Sequence, residues 1–257
     1  MTVRDAGAPG DAERLAREAE PEFDVIAAAG GDGTLNAVAN GIAARPRPVA
    51  ILPFGTVNLL ARELGLPRDP EDLAKLVARG APRLVWPGCA GDRLFLTVAS
   101  AGMDADVVAA LDPTLKARFG RLAFLPALLP RFLDYGAHQI LAEIDGAEQH
   151  RAALVIVAKG RYYAGPFVAA PAGRVADPVL YAVLLAGTRR IDALRYAAAL
   201  LHGGLHRYPG VIAKPAHRIA LTAAQPVRVQ ADGDVVGRLP MRFGVSSSPI
   251  PFIAPEM

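Results

Sequence analysis

The sequence predicts a doubly wound α/β domain followed by an antiparallel β-sandwich-like domain. Short apolar runs alternate with helix-forming stretches over about the first eighty residues, the pattern of βα units around a parallel sheet. Beyond them come short strand candidates, many bounded by Gly, Pro or Asp turns. The Gly80 to Pro87 segment marks the change. The domains are therefore read as residues 1–82 and 83–257, with the extreme C-terminus able to return to the first.

Each element has its own signal. Asp11 to Glu20 is rich in helix formers, with Leu15 and Ala16 on its apolar side. Phe23 to Ala29 and Pro48 to Pro53 are apolar runs of the kind buried on both faces of a parallel sheet. Leu35 to Ala44 reads as a helix, and Asn58 to Leu64 as another closed by Gly65, with Pro67 beyond. In the second half, strands are expected at Leu94–Val98, Gln139–Asp145, Ala153–Ala158, Leu180–Leu185, Arg218–Thr222 and Val227–Gln230. Helices are expected at Ala105–Leu111 and Ile191–Leu201.

Composition narrows the class. Of 257 residues, 52% are hydrophobic, enough for a filled core rather than a disordered chain. The longest unbroken apolar run, Val179 to Ala186, is strand-sized and too short to cross a bilayer. The N-terminus lacks the order of a secretory signal, and the single cysteine, Cys89, rules out an internal disulfide framework. A cytoplasmic protein is expected. A net charge of +3 suits an anionic substrate or lipid surface. No basic patch interleaved with aromatics points to nucleic acid.

The chemistry concentrates in two turns. Gly30, Gly31, Asp32, Gly33 and Thr34 follow a buried strand and lead into the helix opened by Leu35 and Asn36. Glycines allow positive φ and close approach of an anion, while free N–H groups and the helix dipole favour a phosphate. Asp32 would repel phosphate directly, so its expected use is to hold Mg²⁺ through water or orient a reacting group. Neither a Walker motif nor a dinucleotide Gly-x-Gly-x-x-Gly is present. A second strand-to-helix turn, Leu52 to Asn58, carries Gly55, Thr56 and Asn58. Loops at the carboxyl ends of neighbouring strands converge, so Thr56 and Asn58 can reach the same nucleotide.

Together these turns resemble the diacylglycerol kinase catalytic domain of the bacterial lipid kinase family. Gly30 to Gly41 resembles the family's glycine motif, and Leu52 to Pro67 its second motif. The likeness continues at Ala101–Ala105, Leu115–Leu125 and Gly160–Tyr163. The resemblance implies ATP bound by Gly30 to Asn36 with Gly55, Thr56 and Asn58, and γ-phosphoryl transfer to a lipid hydroxyl at a cleft between the domains. It implies Mg²⁺ as cofactor and a peripheral site of action at the membrane, and leaves a homodimer open. The family's general base is a glutamate in an Ala-Asp-Gly-Glu segment. Here Ala231 to Asp234 places Asp234 in that role, with about 1.5 Å less reach. The residues alone read Asp232-Gly233 as a hairpin turn. The resemblance further implies a structural Mg²⁺ held by Asp177 with the main-chain carbonyls of Arg174 and Val179, although Pro178 replaces a glycine.

Two departures stand out. Members of the family begin with a strand and an Asn-Pro-rich glycine loop, whereas this chain is expected to begin at the second strand, near Met1 to Arg4, with a start upstream. Ala37 stands where the family often has glutamate. Two other readings are therefore carried: an NAD kinase-like enzyme, and a lipid-binding pseudokinase. Elsewhere, His202 and His206 lack a third metal ligand and read as a helix end, and Cys89 reads as inert. Lys116, Arg118, Arg121 and Arg131 surround Leu122 to Leu133, which could rest on anionic lipid or pack between domains; Pro126 and Pro130 interrupt a clean helix there.

Overall fold

The structure, a computed structural model, describes residues 2–111 and 124–256. Lys116, Arg118, Arg121 and most of the Leu115 to Leu125 segment lie outside them. The first domain runs α1 (Asp11–Arg17), β1 (Ile26–Gly30), α2 (Asp32–Gly41), β2 (Val49–Pro53), α3 (Leu59–Glu63), α4 (Pro70–Arg79) and β3 (Ala81–Val85). Its sheet is completed by the chain's last strand, Ile250–Ala254, which lies parallel to β2 and antiparallel to β3. Leu35, Val38, Ala39 and Ile42 recur at helical spacing on α2 and bury one face against Ile51, Leu60 and Phe252.

The second domain continues with β4 (Gly88–Ala90), β5 (Arg93–Phe95), β6 (Val98–Gly102), α5 (Met103–Ala109), α6 (Phe124–Leu133), β7 (Ile140–Ile144) and β8 (Glu148–Ala152). Then come β9 (Leu154–Ala158), β10 (Tyr162–Tyr163), β11 (Phe167–Val168), β12 (Leu180–Leu185) and α7 (Arg190–Leu201). The final run is β13 (Val211–Ala216), β14 (Ile219–Ala223), β15 (Arg228–Ala231), β16 (Asp234–Arg238) and β17 (Met241–Val245); Ile250–Ala254 is β18. Two antiparallel six-stranded sheets form, ordered β13-β12-β9-β6-β15-β16 and β5-β4-β17-β14-β7-β8.

One of these sheets is buried on both faces, and strand alternation divides its residues. Val155 and Val157 of β9, with Leu180, Ala182 and Leu184 of β12, pack in one core with Phe95, Ile140, Leu221 and Phe243. Leu154, Ile156, Val183 and Leu185 point the other way, toward Tyr135, Tyr196 and Leu205. That second face becomes the wall of a cavity.

Several expectations shift. Residues 2–6 form neither helix nor strand, so no strand lies near Met1 to Arg4, and β1 is an edge strand among the described residues. Helix α2 begins at Asp32 rather than Leu35, which sets an acidic residue against the positive end of its dipole. Helix α6 forms across both Pro126 and Pro130; Pro126 falls in the first turn, where its missing N–H costs no helical bond. Strand β17, inside its sheet, escapes sequence reading, and so do the edge strands β8, β13 and β16. Edge strands tolerate the polar run of β8 (EQHRA) and Pro215 of β13.

Candidate active site

Strands β1 and β2 pair in parallel from Ile26↔Val49 to Gly30↔Pro53, so they end side by side and their two turns meet. Phe54 N–H donates to the Gly30 carbonyl at 3.0 Å. A β-carbon on Gly31 would lie 3.1 Å from the Gly55 Cα, so main chain abuts main chain. Gly31 has φ −97°, and none of Gly30, Gly31, Gly33 or Gly55 has positive φ. The glycines therefore serve close approach, not the left-handed backbone that sequence reasoning allowed them. Asn58 does adopt φ 53°; its amide donates to the carbonyls of Pro53 and Gly55, and its oxygen accepts from Gly55 N–H at 3.0 Å. It shapes the turn from within.

Across the cleft, the turn between β15 and β16 has Asp232 at φ 48° and Gly233 at φ 90°, the paired positive values of a tight hairpin. The hairpin reading and the catalytic reading of this segment are thus compatible, since the turn itself carries Asp234 to the glycine loop. A β-carbon on Gly33 would lie 3.4 Å from Asp234 Oδ2. Asp232 is turned inward. Its Oδ1 accepts from Thr97 N–H, Val98 N–H and the Thr97 hydroxyl, and its Oδ2 from Leu96 N–H and the Asn36 amide. With those bonds made, Asp232 is an anchor between the domains rather than a reagent.

Asp32 starts α2 with its Oδ1 accepting from Leu60 N–H at 3.4 Å. Burial, and then the neighbouring Asp232 charge, push its carboxyl up to about 6. A carboxylate so disfavoured is a site that a cation would stabilise.

A polar chain runs on from the hairpin. Gly233 N–H donates to Gln230 Oε1, Gln230 Nε2 donates to Ser100 Oγ at 2.6 Å, and Ser100 donates to Asp104. Tyr163 also donates to Asp104, at 2.7 Å. Burial raises the Asp104 carboxyl and pushes the Tyr163 phenol well above its usual value. Beyond this polar belt the space is apolar, walled by Leu154, Ile156 and Leu185 of the sheet and by Leu128, Tyr196 and Leu200 of the helices. The whole cavity holds about 810 Å³ and opens onto both glycine turns.

The two halves that meet at this glycine turn and aspartate hairpin each match a known family. Residues 1–88 match the diacylglycerol kinase catalytic domain, and residues 97–254 match the YegS C-terminal NAD kinase beta sandwich-like domain. The chain is 31% identical over 249 residues to a diacylglycerol kinase of Bacillus subtilis, covering 91% of this chain and 79% of that one. The chain belongs to the diacylglycerol kinase catalytic-domain family. A Pseudomonas putida protein named "Probable lipid kinase YegS-like" is 36% identical over 200 residues, covering 76% of this chain and 68% of that one. Among solved structures, a diacylglycerol kinase from Bacillus anthracis superposes with a TM-score of 0.70 at 20% identity, covering 96% of this chain and 82% of that one. An NAD kinase from Archaeoglobus fulgidus, solved with ATP, gives 0.52 at 19%, covering 95% and 81%. The fold is thus shared with kinases of both lipid and NAD.

Within this family frame, Gly31, Asp32, Gly33, Thr34, Gly55, Thr56 and Asp234 all line the cavity. The other residues expected at the nucleotide do different work. Gly30 packs against the Thr34 side chain, and Leu35 is buried in the first core. The Asn36 amide donates to the Leu94 carbonyl and to Asp232. Asp104, Tyr163, Ser100, Gln230 and Asp232 were not singled out from sequence as site residues; only the Ala101–Ala105, Gly160–Tyr163 and Ala231–Asp234 resemblances touched three of them.

The expected Mg²⁺ loop has one of its three expected ligands, the Arg174 carbonyl, already engaged. The Arg174 and Asp177 main-chain carbonyls both accept from the ammonium of Lys159, at 3.0 Å for Arg174. Arg174 O also accepts from Asp177 N–H at 3.1 Å, so both of its lone pairs are used. Val179 lies just before β12, and among the described residues no three His, Cys, Asp or Glu side chains gather as a metal site. His202 caps the end of α7, as its sequence suggested. Burial raises the Cys89 thiol, in keeping with an inert cysteine.

Proposed function

We propose that this chain transfers the γ-phosphoryl group of ATP to the hydroxyl of diacylglycerol or a related lipid alcohol, using Mg²⁺. The observation that carries this reading is one cavity joining two phosphate-type turns to an apolar chamber of lipid-tail character. In it, the N–H groups at the start of α2 and the Gly55-Thr56 turn hold the phosphates. Asp32 holds the cation, which would neutralise charge on the phosphates and the moving phosphoryl group. Asp234, beside Gly33, takes the proton from the lipid hydroxyl as the new O–P bond forms and ADP leaves. Asp104, kept toward its neutral form by burial, fixes with Tyr163 the polar end of the lipid below the hairpin.

The helices beside the chamber support work at a membrane surface. Leu128 lines the cavity, while Leu129 and Leu133 of α6 and Ile191, Leu194 and Leu201 of α7 are exposed. No helix among the described residues is long and apolar enough to cross a membrane. Lying against the bilayer, these helices would let a lipid enter without crossing water.

The test is transfer from γ-labelled ATP to diacylglycerol in mixed micelles with Mg²⁺. Labelled lipid that disappears with Asp32→Asn is the expected result. Vesicle binding without any labelled lipid would favour the pseudokinase reading. The NAD kinase-like fold supports a second reading, which labelled NADP formed in place of labelled lipid would establish.

A further inference from the structure

Lys159 is fully buried, and its position defines what the Arg174–Asp177 loop is for. It follows β9, and its main-chain N–H and that of Gly160 both donate to the Thr97 carbonyl. Its ammonium then crosses to the loop and donates to the carbonyls of Arg174 and Asp177. The loop is pressed close here, since a β-carbon on Gly173 would collide with the Gly160 carbonyl. Between the two carbonyls the loop sends Val175 into the core of the first domain, where its carbonyl accepts from Trp86 N–H at 2.9 Å. On the other side of Lys159, Glu63 at the end of α3 accepts from Arg161 N–H and Tyr162 N–H at 2.5 and 2.8 Å. The lysine is therefore the cation at a junction of the phosphate-turn helix, the Val175 plug and the Tyr162-Tyr163 segment.

We infer that the Lys159 ammonium is the resident cation of this loop, occupying the place that a structural Mg²⁺ would otherwise fill, so that the junction is built without metal. Two considerations carry it. A Mg²⁺ ion needs six oxygens at about 2.1 Å in an octahedron. Here Arg174 O has no lone pair left, Asp177 O is engaged, and the ammonium stands between them. Pro178, with its fixed φ and lack of an N–H, also restrains the chain right after Asp177. One monovalent charge on a tethered side chain does the neutralising, and it cannot be chelated away.

The inference concerns folding, not turnover, so it stands or falls apart from the proposed reaction. Thermal melting of the full chain without nucleotide or lipid tests it, in EDTA and in millimolar Mg²⁺. Whatever response to Mg²⁺ the Asp32 site gives the wild type, Asp177→Asn should leave that response unchanged. Lys159→Met should melt at least about 5 °C lower in EDTA, because it removes the donor that both carbonyls accept from. A saturable Mg²⁺-dependent rise in the wild type that Asp177→Asn abolishes would overturn the inference, as would a Lys159→Met protein with wild-type melting in EDTA. If Lys159→Met cannot be recovered folded, the wild-type and Asp177→Asn melts decide.

Discussion

Gly31 and Gly55 meet main chain to main chain, with only 3.1 Å between the Gly55 Cα and the place a β-carbon on Gly31 would take. This contact brings two turns from separate strands together at the rim of one cavity. It depends on the in-register parallel pairing of β1 and β2, which brings both strand ends to one level. Substituting Gly55→Ala would press a methyl group on Gly31 and on Asn58 Oδ1. We expect a stability loss of about 1–3 kcal/mol and a rise of roughly tenfold or more in KM for ATP. Melting and steady-state kinetics check both, and a KM for ATP unchanged from wild type would remove the turns from the nucleotide site.

Asp32 should show a trade between stability and activity. Its carboxyl titrates near 6 when folded against an ordinary 3.8. The folded chain therefore holds the extra proton between those values, so stability is full below 3.8, falls as pH rises from 3.8 through 6, and is level above that. At neutral pH the ionised form costs on the order of 2–3 kcal/mol. Asp32→Asn should melt several degrees higher than wild type at pH 7.5, with the gap closing by pH 4. Phosphoryl transfer should fall at least about 100-fold in the same protein. Equal melting at both pH values would show that Asp32 is not strained.

The two aspartates of the hairpin should separate cleanly. Asp232 anchors Leu96, Thr97, Val98 and Asn36, so Asp232→Ala should cost about 3–5 kcal/mol and depress melting by about 10 °C. Asp234 is exposed at the start of β16, and Asp234→Asn should lower kcat about 100-fold or more with melting nearly unchanged. Asp234→Glu, which keeps a carboxylate, should retain turnover well above that of Asp234→Asn.

The bare apolar faces of α6 and α7 should act only at a surface. Leu129→Glu with Leu194→Glu should reduce turnover on anionic vesicles at least about tenfold, because both side chains are exposed. Activity on a short-chain, water-dispersed diacylglycerol should stay near wild type. An equal loss on both substrates would assign the leucines to packing instead.

Much of this was legible in the chain itself. Local signals sufficed for the glycine turn after β1, for Gly55-Thr56 after β2 and for the Asp232-Gly233 hairpin. In each, backbone constraint and sequence lie within a few residues of one another. The buried central strands β9 and β12 announced themselves by apolar runs, whereas the edges β8, β13 and β16 had no such pattern to show. The polar belt was hidden because its members are scattered: Ser100, Asp104, Tyr163 and Gln230 come together only when β6 pairs with β9 and β15.

The sequence by itself determined the family, the two glycine turns and the order of the domains, because periodicity, turn chemistry and motif spacing are local properties. Tertiary structure alone decided that the glycines serve close approach rather than positive φ, and that Asn36 and Asp232 tie the domains together. It also decided that Lys159 holds the Arg174 carbonyl, one of the two expected to bind Mg²⁺. Those outcomes depend on which atoms of distant residues reach the same few ångströms first, and a carbonyl with both lone pairs taken has nothing left for a metal.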